Sequence, residues 1–189
     1  MAKKKFDPRK LMKLNDPERL KDIPPEYIWR CLDLTSSPEI VIDVGAGTGL
    51  FTVKFCQLAP QATFFACDIA PEMISWMKEK VSPLYPQISP LLMEECSIPL
   101  PEQVGDLVYM INLHHELEQP IDLLKECRRL LRPRGRLFIV DWKPVKTEHG
   151  PPLPLRVPPE EVKQQLREAG FSFLSQHDDM KSHYLIIAR

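Results

Sequence analysis

Residues Glu39–Leu50 read EIVIDVGAGTGL, a β-branched run that stops abruptly at Gly45, Gly47 and Gly49. Val and Ile favour a pleated, buried strand. The next stretch, LFTVKFCQLAP, has helical periodicity and stops at Pro60. Strand, glycine turn and helix therefore follow one another without a spacer. Glycines at such a turn let the chain reverse sharply and bring backbone N–H groups close to a ligand at a helix N-terminus. Three of the chain's seven glycines fall within these five residues, more than a bare turn requires.

The alternation continues downstream. ATFFACD is a second strand candidate, and APEMISWMKEKV is a helix with Pro71 and Glu72 in its first turn. QISPLLM reads as a third strand, and Pro90 within it removes a ladder donor, which points to a sheet edge. DLVYMIN is a fourth strand and RLFIVDW a fifth. Between them, PIDLLKECRRLLRP is an amphipathic helix with Ile121, Leu124, Cys127 and Leu131 on its buried side. Upstream, PPEYIWRCLDL starts a helix at Pro25, with Ile28, Cys31 and Leu32 on one face. At the far end, PEEVKQQLREAG is a helix with acids at its start and Gly170 at its C′ position. FSFLSQH and HYLIIAR then flank DDMKS as a hairpin.

Five strand–helix alternations and a terminal hairpin predict an α/β fold. The expectation is a doubly wound, mostly parallel seven-stranded sheet, with a C-terminal antiparallel hairpin and helices on both faces. Continuous apolar strands fit a sheet covered on both sides. At 189 residues the chain reads as one domain. Residues 1–35 form an arm and helix, 39–142 a ligand-binding core, 143–158 a proline-rich surface loop, and 159–189 the last helix and strands. Six of the 20 prolines lie between Pro144 and Pro159.

Charge narrows the partners. A net charge of −1 and a pI near 6.5 give no reason to expect nucleic acid or another polyanion. The one basic run, Lys3-Lys4-Lys5, reads as a solvated start. The absence of a long apolar run or a signal-peptide core predicts a soluble, cytoplasmic protein without membrane contact, monomeric or homodimeric. Five cysteines with no CxxC pair suggest reduced thiols, mostly small core hydrophobes.

Two ligand classes use a glycine turn of this kind. A dinucleotide fingerprint, G-x-G-x-x-G, needs its third glycine at position 50, which is leucine. The pattern here is G-x-G-x-G, with Asp43 two residues ahead of Gly45. An acid there suits a cationic amino group or sulfonium better than a pyrophosphate. Asp68 ends the second strand and can accept hydrogen bonds from both hydroxyls of a ribose. It can also cap the helix that begins just after it.

Together VIDVGAGTG, ACDIAPEMI, EECSIPLP, DLVYMINLHHEL and ECRRLLRPRGRLFIVDW resemble the successive motifs of class I S-adenosylmethionine-dependent methyltransferases. The likeness is to the type 11-like small-molecule group that includes ubiquinone- and menaquinone-biosynthesis enzymes, and it runs from about Glu39 to Trp142. It implies a Rossmann-like fold and S-adenosyl-L-methionine as cofactor. It also implies residue roles. Gly45, Ala46, Gly47 and Gly49 pass under the methionine part, and Asp43 faces its amino group. Asp68 holds the ribose and Ile69 packs on the adenine. Glu94 stands near the adenine amine, followed by a backbone donor at Glu95 or Cys96. Asn112 offers its backbone or amide to the methionine end. MEECS departs from the glycine–aspartate pairing commoner at that position.

Methyl transfer is an in-line displacement that depends on alignment, which can supply roughly 7–11 kcal/mol of barrier reduction, and it needs no metal. Acceptor groups should come from beyond strands four and five. That places His114, His115 and Glu116, with Asp141, Trp142 and Lys143, around a small-molecule acceptor. His115 and His114 are the candidate catalytic residues, one touching the acceptor while the other packs or caps. An extended chain here would put His114 and Glu116 on one side and His115 on the other. HELEQ lacks the second histidine of a metal-binding H-E-x-x-H. Asn112-Leu113-His114-His115 also lacks the Asn/Asp-Pro-Pro-aromatic signature of base-amine and amide methylation. Phe6–Leu20 is the candidate lid, or equally a packed arm. The alternatives are a catalytically silent cofactor-binding protein, an arsenite methyltransferase, and an NAD-dependent oxidoreductase.

Overall fold

The computed structural model describes Leu11 and Lys13–Arg189. The basic run at Lys3–Lys5 and residues 6–10 and 12 of the expected lid lie outside the described residues.

Two short helices, α1 (Arg19–Asp22) and α2 (Pro25–Cys31), lead into β1 (Ile40–Val44). There follow α3 (Leu50–Leu58), β2 (Thr63–Asp68), α4 (Pro71–Lys80), β3 (Ile88–Leu92) and β4 (Gly105–Ile111). A 3₁₀ turn at His114–Glu116 precedes α5 (Pro120–Leu130) and β5 (Leu131–Trp142). A second 3₁₀ turn (Leu153–Leu155), α6 (Pro159–Glu168), β6 (Phe173–His177) and β7 (His183–Ala188) complete the chain.

The seven strands form one sheet in the order β3-β2-β1-β4-β5-β7-β6. β1 to β5 are mutually parallel, and β7 runs antiparallel to both β5 and β6. This is the expected doubly wound sheet with its terminal hairpin. β3 is an edge strand, and Pro90 sits opposite Ala66, where its missing N–H faces no further strand.

One core layer holds Val41, Phe55, Tyr109, Phe138 and Leu185 under α2 and α3. Tyr109 stacks on Phe138 with ring centroids 4.7 Å apart, and Phe55 meets both rings. Such pairs contribute about 0.5–1.5 kcal/mol each beyond their buried area. The other layer holds Ile42, Val108, Leu124, Ile139, Leu166 and Ile186 under α5 and α6. Cys56, Cys67 and Cys127 are buried, and none of the five cysteines is disulfide-bonded.

Three expectations need correction. No helix links β3 to β4, so the alternation breaks there. The linker MEECSIPLPEQV is short and proline-interrupted and lacks a helical apolar period. It is tied instead to α5: Glu126 accepts the Ile98 N–H, and Arg129 donates to the carbonyls of Ile98 and Leu100. Second, Leu131 starts β5 directly after the helix and does not extend the helix's buried side. Gly135 makes the early strand possible, since a Cβ there would lie 2.7 Å from a Leu131 methyl. Third, the buried side of α5 is Leu123, Leu124, Cys127 and Leu130, while Ile121 is only half-buried. Among the described residues no helix is long and apolar enough to cross a membrane.

Candidate active site

Parallel pairing puts the ends of β1, β2 and β4 side by side. The glycine turn leaves β1 there. Gly45 has φ +75°, and a Cβ on it would meet a Leu113 methyl at 2.8 Å. Conformation and close approach both demand glycine. Gly49, at φ +81°, is the N-cap of α3. The N–H groups of Gly45 and Ala46 both donate to the Cys67 carbonyl, so the turn is fastened to the end of β2.

Asp43 lies beneath this turn at 3% exposure. One of its oxygens accepts from the hydroxyls of Thr52 (2.5 Å) and Tyr109 (2.8 Å). Burial pushes its carboxyl up to about 7, against the pull of those two hydroxyls. Asp68, at the end of β2, accepts the Gly47 N–H (2.7 Å) and the Ala70 N–H (2.9 Å). Burial raises its carboxyl too, and these amides oppose the shift. One oxygen thus accepts the amide of Ala70, the residue leading into α4, and the other reaches the glycine turn; α4 has no side-chain N-cap bond, so Asp68 does not cap it. Ile69 beside it is 62% exposed, a large apolar side chain without cover.

Glu94, Glu95 and Cys96 lie on the turn after β3. Glu94 and Ser97 form an isolated bridge, and the Cys96 thiol donates to the Gln119 carbonyl at 3.8 Å. Glu94 and Glu95 are exposed and Cys96 is half-buried. Asn112 follows β4 in the left-handed region (φ +55°), a conformation that Asn tolerates better than most residues. Its side-chain oxygen is buried with no partner among the described residues. A group of this kind calls for a water or a ligand.

Beyond β4 the chain makes a 3₁₀ turn, so the extended geometry expected for His114–Glu116 does not occur. The Glu116 N–H donates to the Leu113 carbonyl and closes the turn. His114 packs inward at 2% exposure, and burial lowers its ring below the usual imidazole range. His115 pairs with Asp141 at the end of β5: Nδ1 lies 2.7 Å from one carboxylate oxygen, and the His115 N–H donates to the other at 3.0 Å. Asp141 is 1% exposed, and its carboxylate also accepts the Trp142 N–H. Burial disfavours the His115 imidazolium, but the hydrogen bond and charge of Asp141, with Glu116, outweigh it and raise the group. The Trp142 and His183 rings meet at a tilt of 44° with centroids 4.1 Å apart, and Lys143 donates to the carbonyls of Asp178 and Met180.

A methyltransferase domain family matches residues 42–139, more than half of the chain. The chain belongs to this methyltransferase family. It is 32% identical over 133 residues to a demethylmenaquinone methyltransferase of Chlamydia muridarum, covering 67% of this chain and 57% of that one. It is 30% identical over 138 residues to a ubiquinone biosynthesis O-methyltransferase of Xanthomonas oryzae, covering 70% and 52%. The chain therefore spans little more than half the length of these two relatives. Among solved structures, a SAM dependent methyltransferase from Aquifex aeolicus superposes with a TM-score of 0.89 at 32% identity, over 97% of this chain and 98% of that one. The cyclase SpnF shares the fold at TM-score 0.77 and 15% identity, over 90% and 81%. A fold of this kind can carry more than one reaction, so function has to be argued from the site.

Two arginines of this methyltransferase domain carry no motif that sequence reading could have found. Arg19 of α1 donates to the Leu14 carbonyl and lies over the Phe51 ring at 5.1 Å, with its charge felt by Asp43. Leu14 itself lies 3.6 Å from where a Gly47 Cβ would stand, so the arm reaches the glycine turn. Arg156 is buried in the proline-rich loop and donates to the carbonyls of Lys143, Val145, His149 and Pro151 and to the Thr147 hydroxyl. It also lies over Trp142 at 5.1 Å. The loop expected at the surface is thus ordered around one buried cation.

Proposed function

We propose that this domain binds S-adenosyl-L-methionine across the ends of β1, β2 and β4 and methylates a small-molecule acceptor held beyond β4 and β5. The observation that carries this reading is the convergence of Asp43, the Gly45–Gly49 turn, Asp68 and the unpartnered Asn112 oxygen at the carboxyl ends of neighbouring inner strands. These residues fit the group: two buried carboxylates, an orphaned acceptor, and an uncovered apolar side chain at Ile69. When bound, the cofactor supplies a methyl carbon activated by a positively charged sulfur.

The chain's own residues divide the remaining tasks. Asp68 accepts the ribose hydroxyls, Ile69 covers the adenine, and the Glu94–Cys96 turn borders it. Asp43 and the Asn112 oxygen face the amino group, while Arg19 supplies the cation for the carboxylate beside it. On the acceptor side, Asp141 fixes the ring of His115 through Nδ1, leaving Nε2 as the atom that takes the acceptor's proton. Trp142 and the loop held by Arg156 wall the acceptor from water. Asp141 is a positioning residue, and His114 is a packing residue.

The test is a screen of metabolite extracts with methyl-labelled cofactor, using Asp68→Ala as the inactive control. Label entering a small organic acceptor with wild type alone supports the proposal. Cofactor binding without transfer to any acceptor would favour a silent binding protein. Label in nucleic acid or protein would overturn the small-molecule assignment.

A further inference from the structure

Asp43 is a buried carboxylate without a buried cation in salt-bridge contact among the described residues. The groups facing it are the Thr52 hydroxyl from α3, the Tyr109 hydroxyl from β4, Asp68 and Cys67 at the end of β2, and Arg19 from α1. Thr52 and Tyr109 are neutral donors sharing one oxygen. Asp68 and Cys67 offer no positive charge. Arg19 acts only at longer range, and its contacts are the Leu14 carbonyl and the Phe51 face. Burial at 3% exposure favours the carboxylic acid over the carboxylate, and the two hydroxyl donors offset this only in part.

We propose that the cationic amino group of the cofactor displaces a proton from Asp43, so that cofactor binding and proton release are a single event. This rests on the cofactor assignment above. The balance is simple: Asp43–COOH becomes Asp43–COO⁻, the proton passes to buffer, and the arriving ammonium supplies the charge that the site lacks. An opposite charge within about 4–6 Å lowers a carboxyl by roughly 1–3 units, enough to ionise a group that titrates near neutrality. With burial holding Asp43 at about 7, the unliganded acid is mostly protonated at pH 6. A drop of two to three units then releases about 0.8–0.9 proton per site at pH 6 and about half a proton at pH 7. The pH is kept at 7 or below because an α-amino group itself titrates near 7.7–8.0 and would take up protons above that.

The experiment is calorimetric titration of S-adenosylmethionine into the full chain at pH 6.0 and 7.0, in MES and in Bis-Tris, whose ionisation enthalpies differ. Methylthioadenosine, which keeps the nucleoside but lacks the amino-acid end, is titrated in parallel. Because it still reaches Asp68, it separates any titration of that acid from Asp43. The expected result is a buffer-dependent enthalpy for S-adenosylmethionine that shrinks from pH 6 to 7 and is absent for methylthioadenosine. Asp43→Asn, checked for folding by thermal melting, should bind S-adenosylmethionine with no buffer dependence. Equal proton release with both ligands, wild-type release from Asp43→Asn, or binding without release would overturn the inference and leave the cofactor assignment standing. Failure of S-adenosylmethionine to bind at all would overturn the functional reading and this inference with it.

Discussion

The two ends of the candidate site are built differently. The proposed cofactor side is largely backbone: a glycine turn, two strand ends, and amides that reach the Cys67 carbonyl and the Asp68 carboxylate. The proposed acceptor side is built from side chains brought together across the sheet. His115 meets Asp141, Trp142 meets His183, and Arg156 gathers a loop of carbonyls. A backbone cradle is set by a few local rules and suits a ligand common to many proteins. Side-chain pairings made through strand register can change one residue at a time, which suits the half that selects the acceptor.

Substitutions on one side should therefore leave the other intact. The largest effect is expected at His115→Gln, which should reduce turnover by about 10²–10⁴ while cofactor affinity holds. Asp141→Asn should act through the pH profile. In the proposed role His115 works as the free base, so activity should rise with pH through its raised value. Losing the carboxylate lowers that value and moves the rising limb of kcat/KM to lower pH.

On the other side, Asp68→Ala should weaken cofactor binding about 100-fold or more in calorimetry, since hydrogen bonds to a charged group contribute about 1.5–3 kcal/mol each. Arg156→Met comes next. It strips the loop of its five hydrogen bonds and should cost about 2–3 kcal/mol in denaturant unfolding. It should lower turnover and spare cofactor affinity.

The smallest effect is in the pH dependence of unliganded stability, where the two sides pull in opposite directions. Burial raises Asp43 to about 7, so the native state keeps a proton that the unfolded chain has lost, and stability falls as pH rises from about 4 to 7. Burial lowers His183 to about 4, so the unfolded chain holds a proton that the native state lacks, and stability rises from about pH 4 to 6.5. Melting temperatures across this window should rise more steeply in Asp43→Asn than in wild type. In His183→Phe they should fall.

The same contrast explains what the sequence disclosed. Glycines after a β-branched run, an acid ending the next strand and a proline on an edge strand are local signals, and each matches the structure at Gly45–Gly49, Asp68 and Pro90. The C-terminal hairpin and the Gly170 cap of α6 were legible for the same reason. Where the structure departed, the determinant was long-range. Leu131 became strand because Gly105 pairs with it. The His114–Glu116 segment turned because the Asp141 carboxylate captures the His115 N–H. Arg19 and Arg156 gave no signal, since the contact of one with the Leu14 carbonyl and the burial of the other among loop carbonyls depend on a chain path that no local pattern records.

The cofactor side carries the central claim, and calorimetric titration of the full chain with S-adenosylmethionine and, separately, with NADH tests it most directly. One S-adenosylmethionine per chain and no measurable NADH binding is the predicted result. Tight NADH binding without S-adenosylmethionine binding would contradict the account.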